Sequence, residues 1–391
     1  MNETVDRAPT ARLESLDALR GFDMLFISGL SSLVAAACVM LGCPECWLAE
    51  QMRHVAWEGL HHHDTIFPLF LFLAGASWPF SFAAQRARGR STASIVLKLV
   101  RRAVILALFA AVLGGILTFD WRNVRYLDVL TTIGVCGGIS AVIFMCVRDV
   151  RARLVILAGI LVGYYLLLRL VPAPDALSVP MPVSPEWQGT GPFSLVGNLC
   201  GYVDRKFLPG LYYTYVGSDG VGLFEEDGIL HNVAAVATAM LGVFAGEIVR
   251  REGTSGGRKV LTLLACAAGC LVATLVWMPF CPIIMKIWSP TYVLANGAYS
   301  FLMLAIFYWI VDVRGWRSWA FALKAVGMNS IAIYLMNRTG LMPAVAKYLF
   351  GGVASLTDVP GWPTFAVSAG LLAVNVLVMC WLHRNKVFLK V

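Results

Sequence analysis

The stretch from Arg53 to Ser77, RHVAWEGLHHHDTIFPLFLFLAGAS, changes character at Asp64. Before it the chain is polar and holds four of its six histidines; after it no charged residue occurs until Arg86. A helix crosses a ~30 Å hydrocarbon core with about 20 apolar residues, so 64–84 reads as a membrane span with a histidine-rich mouth. Applied outward, the same rule gives about ten spans: 19–42, 64–84, 98–118, 127–147, 153–172, 229–249, 260–280, 291–311, 323–343 and 363–383. The expected architecture is an all-α polytopic membrane protein, with 1–391 as a single transmembrane domain. Composition agrees: 59% of residues are hydrophobic and 14% charged, against roughly 45–50% and about 25% in soluble domains.

The net charge of +8 raises the question of a nucleic-acid partner. Placement answers it. If the N-terminus is cytoplasmic, the inner segments carry 22 of the 31 Lys and Arg and the outer ones eight, with Arg169 inside a span. That bias puts both termini in the cytoplasm and assigns the basic surplus to loops beside a lipid bilayer. No aromatic-rich basic module of the nucleic-acid-binding kind is present, so no nucleic acid is expected. The polar, charged first twenty residues do not read as a cleavable signal. The longest outer connection, 173–228, is rich in Pro, Gly and aromatics, and a connection of that length is usually functional or disordered. Three GxxxG spacings, Gly134/Gly138, Gly159/Gly163 and Gly242/Gly246, read as sites of close helix packing.

No metal is expected. Consecutive helical residues point about 100° apart, so His61, His62 and His63 cannot converge on one ion from a regular helix. Cys43-Pro-Glu-Cys46 is a single CxxC with no second pair, and the other cysteines lie mostly within spans as small apolar packers.

Ionisable residues in or beside a span are costly and are functional candidates by default. Three groups qualify. Asp17, Arg20 and Asp23, spaced by three, share a helix face at the inner end of the first span. They are either a self-neutralised ion pair or a contact for a phosphate-bearing ligand. His54 and Asp64 lie at the outer end, where a carboxylate beside an imidazole makes an oriented proton acceptor. His231 and Asn232, just after Glu225, Glu226 and Asp227, open the sixth span on the same side. The second and third groups are expected to share an outward-facing pocket.

Four stretches together resemble one family. RLESLDALRGFDM (12–24), HVAWEGLHHHDTIFPLFLFLAGAS (54–77), DGILHNVAAVATAMLGVFAGEIVR (227–250) and PIIMKIWSPTYVLANGAYSFLMLAIFYWIVDVRGWRSWAFALKAVGMNSIAIYL (282–335) are similar, in order and spacing, to the transmembrane acetyltransferases typified by heparan-α-glucosaminide N-acetyltransferase. The resemblance implies transfer of acetyl from cytoplasmic acetyl-CoA to an amino sugar or glycan terminus on the extracytoplasmic side. It implies His54, in the His-x-x-Trp-x-Gly run, as the working histidine, and a homodimer. With the residue reading it gives His54 as base or transient acetyl carrier and Asp64 as its orienting partner. Arg20, Arg101 and Arg102 are expected to hold the CoA phosphates. Asn232, His231, Asn329 and Asn337 are expected to contact the acceptor or the oxyanion. The expected location is a bacterial inner membrane. A sugar or amphiphile permease is the alternative reading of the same spans, and an assembly subunit without chemistry is a third.

Overall fold

The computed structural model describes residues 13–121, 124–180, 189–208, 215–216 and 222–389. Arg12 and parts of both Pro- and Gly-rich stretches of the 173–228 connection lie outside the described residues. Helix α1 (Glu14–Leu25) passes through a π-helical turn, Phe26–Leu30, into α2 (Ser31–Met40). A short α3 (Trp47–Gln51) precedes α4 (Ile66–Ala87), α5 (Thr92–Leu113), α6 (Val129–Cys146) and α7 (Val150–Leu170). The long connection contains α8 (Leu199–Phe207) and an antiparallel pair, β1 (Tyr215–Val216) and β2 (Gly222–Phe224). Then follow α9 (Asn232–Arg250), α10 (Gly256–Trp277), α11 (Pro290–Phe307), α12 (Phe321–Met328), α13 (Ser330–Arg338), α14 (Leu341–Ala354) and α15 (Trp362–Arg384).

Among the described residues, eight helical stretches are long and apolar enough to cross a membrane. The chain is an all-α integral membrane protein. Every one of the ten expected spans coincides with helix, but two are not simple spans. The ninth is a pair, α12 and α13, bent by 63° about Asn329. The third, α5, carries Lys98, Arg101 and Arg102 in its first half, which removes it from the eight. The apolar 14-residue α14 was not anticipated.

The centre of the bundle is the seam between α4 and α9. A Cβ at Gly75 would collide with the Ala239 carbonyl, and one at Gly242 or Gly246 with the carbonyls of Phe72 or Ala76. Lipid gives apolar faces no hydrophobic reason to associate, so this backbone-to-backbone approach and the dispersion it allows hold the pair together. The other GxxxG pairs do less. Gly134 meets Ala103 of α5, whereas Gly138, Gly159 and Gly163 face open space. A second close crossing, Gly21 on α1 against α12 and Gly327 against the Asp17 carbonyl, sets α1 beside the broken span.

Candidate functional site

His54 sits on an irregular segment fixed from three sides. The Trp57 indole N–H donates to the Phe193 carbonyl at 2.8 Å, the Gly59 N–H to Ile283 O at 2.8 Å, and Lys286 Nζ to Val55 O at 3.0 Å. Gly59 turns with φ 126°, a backbone state that a side chain would strain. The His-x-x-Trp-x-Gly spacing thus makes structural sense: Trp and Gly anchor the strip that carries the histidine.

Asp64 is buried and fully engaged. Its Oδ1 accepts from His54 Nδ1 at 2.7 Å, and its Oδ2 from the His61 N–H at 2.8 Å and the Val55 N–H at 3.4 Å. Tyr292 donates its hydroxyl to the Asp64 carbonyl at 2.6 Å. An ionised carboxylate only accepts, so His54 carries its proton on Nδ1 and keeps the lone pair on Nε2. The His54 side chain is 49% exposed, so the ring is oriented from behind and open in front. The His63 ring meets it edge-on at 4.5 Å.

His54 and Asp64 border a cavity of about 190 Å³, also lined by Glu226, Asp227, Lys286, Trp288 and Tyr334. The expected meeting of the 54–64 and 225–232 groups therefore occurs through the carboxylates, not through His231 and Asn232. His231 is buried behind the wall, its ring stacked on Trp288 at 5.6 Å. Asn232 is consumed at the start of α9: its amide donates to the Gly228 and Ile229 carbonyls and its Oδ1 receives the Cys136 thiol. Lys286 lies 3.6 Å from Glu226, and burial depresses its pKa. Burial raises the pKa of Glu226 and pushes Asp227 up to about 8 against the opposing pull of Arg125. Arg125 pairs with Glu225 and, at 2.9 Å, with Asp227. Burial works against its charge, but Asp227 and Glu225 outweigh burial and its pKa rises.

A second cavity, of about 600 Å³, runs along α4 from Phe70 to Ser81 and on to Arg88, toward the opposite end of that helix. Arg20, Arg88, Lys98 and Arg102 line it together with Asp17 and Ser77. Arg20 donates to Asp17 at 3.2 Å and to Ser77 Oγ at 2.9 Å, so it is both ion-paired and presented to the cavity. Lys98 and Arg102 are four residues apart on one face of α5. Arg101 is exposed off that face and does not line the cavity. The i, i+4 spacing, applied to the KLVRR run, was the available signal for Lys98.

The remaining two expected residues lie elsewhere. Asn329, at the bend between α12 and α13, donates to Val387 O at 3.1 Å and accepts from the Leu389 N–H at 3.2 Å, holding the chain after α15 beside the basic cavity. Asn337 forms a reciprocal amide pair with Asn375 of α15, at 3.0 and 3.1 Å. Neither lines the His54 cavity. The three consecutive histidines diverge as expected: His61 to Arg53 O, His62 to the Tyr299 hydroxyl, His63 to Ser31 Oγ.

The two cavities share lining residues: Phe70, Leu130, Ile133, Ser330 and Ile331 border both. A cationic chamber fit for phosphates and a chamber with an oriented imidazole thus stand back to back across one thin, mostly apolar wall.

Residues 12–122, which include both Arg20 and the His54 strip, match the family model described as "Domain of unknown function (DUF5009)". The heparan-alpha-glucosaminide N-acetyltransferase of Homo sapiens is 26% identical over 373 residues, covering 83% of this chain and 52% of that protein. That of Mus musculus is 27% identical over 382 residues, covering 85% of this chain and 55% of that protein. The chain spans about half the length of the curated relatives it matches. Over most of its own length, then, the chain is similar to the heparan-alpha-glucosaminide N-acetyltransferases of these two mammals.

Proposed function

We propose that this protein is a transmembrane acetyltransferase that takes acetyl-CoA at the basic cavity and passes the acetyl group to an amino-sugar acceptor at the His54 cavity. The observation that carries the reading is the pair of cavities sharing the wall of Phe70, Leu130, Ile133, Ser330 and Ile331. Arg20, Arg88, Lys98 and Arg102 supply the cations that a CoA phosphate group needs. With the phosphates held there, the extended pantetheine arm is directed at the wall, and its thioester at the far chamber. The charge bias of the loops makes the basic cavity the cytoplasmic one.

In the outer chamber the acceptor reacts as the neutral amine, its ammonium proton given up to solvent, and Glu226 and Asp227, whose protonated forms burial favours, line the pocket that receives it. As the neutral nitrogen attacks the thioester carbonyl, Nε2 of His54 accepts one of its two N–H protons. The new C–N bond forms, the C–S bond breaks, and the proton passes from His54 to the departing thiolate. Asp64 holds the ring in the competent tautomer and stabilises the imidazolium. Lys286 lines the same cavity and is the side chain proposed to donate to the developing oxyanion. A route in which Nε2 carries the acetyl group transiently uses the same residues.

The test is transfer from radiolabelled acetyl-CoA to glucosamine by the purified full chain, with His54→Ala beside it. The reading requires transfer by the wild type, none by the variant, and acetyl-CoA binding by both. Glucosamine flux through vesicles without acetyl-CoA turnover would favour the permease reading, which back-to-back cavities also suit.

A further inference from the structure

Outside the two cavities, the densest group of reactive side chains is a trio of thiols at the outer end of the first span. The sulfurs of Cys38, Cys43 and Cys46 all lie within 4.8 Å of one another. Among the described residues, no other group of three His, Cys, Asp or Glu side chains meets that spacing. We propose that Cys38, Cys43 and Cys46 bind one thiophilic d10 cation, of the Zn(II) or Cu(I) class, and so staple α2 to the segment leading to His54.

The backbone builds the trio. Helix α2 ends at Gly42, whose φ of 75° is the left-handed state of a helix-terminating turn. The Cys43 N–H then returns to the Cys38 carbonyl at 2.9 Å, which sets Cys43 over Cys38. The next turn closes with the Cys46 N–H on the Cys43 carbonyl at 3.2 Å. The CxxC pair, incomplete in the sequence, gains its third ligand from inside the first span.

The geometry suits an ion better than a bridge. Metal–sulfur bonds of about 2.3 Å in a tetrahedral or trigonal set need sulfurs roughly 3.8–4.0 Å apart, a contraction of under ~1 Å from the spacing here. A disulfide needs about 2.05 Å and would use two thiols and strand the third. Thiolates are the ligands that soft d10 ions prefer. Cys38 is buried, whereas Cys43 and Cys46 are partly exposed, so an ion has an entry path and room for a water as fourth ligand.

The staple would have a purpose close by. Seven residues separate Cys46 from His54, and between them α3 places Gln51 Oε1 on the His62 N–H at 2.9 Å. Fixing α3 to α2 fixes the path into the His54 strip.

The full chain, purified in detergent with reductant and stripped of metal, is titrated with Zn(II) against a chromophoric chelator, and separately with Cu(I) against a Cu(I)-selective one. The expected result is one ion per chain, with affinity falling about 100-fold or more in Cys43→Ser and Cys46→Ser and unchanged in Cys146→Ser. Whichever ion binds more tightly than its chelator identifies the class. Co(II) loading should give a thiolate-to-metal charge-transfer band that Cys46→Ser weakens. Cys46 is partly exposed, and elution as a single symmetric species verifies that its variant is folded. Binding equal in wild type and the Cys43→Ser/Cys46→Ser double variant would overturn the proposal. So would a disulfide within the trio in protein alkylated directly from cells before any reductant is added.

Discussion

Replacing Asp64 by Asn tests the orientation argument more sharply than deleting His54. The carboxylate accepts three hydrogen bonds: from the His54 ring at 2.7 Å and from two backbone N–H groups through its second oxygen. Asn offers one acceptor and one donor in the same space, so it cannot satisfy both sides. If its oxygen faces the backbone, its NH2 meets His54 Nδ1 and forces the proton onto Nε2, which removes the base. If its oxygen faces the ring, the NH2 opposes the His61 N–H, and the ring keeps its tautomer without the charge-assisted bond. That bond is worth about 1.5–3 kcal/mol, which corresponds to a rate loss of roughly 10- to 150-fold. The tautomer error adds to it. The expected outcome for Asp64→Asn is a fall of at least about 10-fold in kcat for acetyl transfer, with acetyl-CoA affinity within about twofold of wild type. The readout is steady-state transfer beside equilibrium binding of radiolabelled acetyl-CoA. Wild-type kcat in a folded Asp64→Asn protein would refute the reasoning, because His54 would then need no oriented tautomer. Loss of acetyl-CoA binding would refute it too, by tying Asp64 to the donor side.

Other perturbations have equally definite outcomes. Arg20→Ala and Arg102→Ala should each weaken acetyl-CoA binding by roughly 10- to 100-fold, the worth of a charged hydrogen bond, whereas Arg101→Ala should leave it unchanged in the same filter-binding assay. Gly242→Ala drives a methyl into the Phe72 carbonyl across the α4–α9 seam and should cost about 1–3 kcal/mol or abolish folding, while Gly163→Ala, facing open space, should leave the melting temperature in detergent unchanged. Asp204 is held by burial up to about 7, although the Ile229 N–H it accepts pulls the other way. Its folded pKa lies above its unfolded one, so its contribution to stability is complete below about pH 4 and is lost as pH rises through 7. The melting temperature should therefore fall between pH 5 and about 8 more steeply in the wild type than in Asp204→Asn, as thermal scans across that range would register.

What was legible in the sequence follows from the range of the forces involved. Spans are local patterns of hydrophobicity, so each expected span is helical. His54 and Asp64 are ten residues apart within one motif, and they meet. Arg20 and Arg102 were readable because charge near a span is costly. The errors fall where a contact depends on distant chain. Asn337 is spoken for by Asn375, 38 residues on, and Asn329 by residues 58 and 60 positions later. No local pattern announces such partners, and a polar side chain in a bundle looks the same whether it faces a ligand or another helix. Glu226 and Asp227 line the His54 cavity because the end of the long 173–228 connection folds over it, with Trp57 packed against Phe224 at 5.6 Å, and Lys286 reaches it from the α10–α11 connection. Asn232 was misjudged for a local reason: at the start of a helix its amide bonds to its own backbone neighbours.

The shared wall bears on membrane energetics as well as chemistry. A catalyst that works on both faces of a bilayer threatens the ion gradients that the bilayer maintains, since two wet chambers joined end to end make a pore. Four of the five shared lining residues, Phe70, Leu130, Ile133 and Ile331, are apolar. They act as an electrical seal that water and protons cross only at the cost of wetting an oily constriction. On the proposed function, the pantetheine arm would fill that constriction as it passed, so the gap would be plugged by the substrate that opened it. Polar residues at Ile133 or Ile331 would wet that constriction and join the two chambers into a slow proton leak.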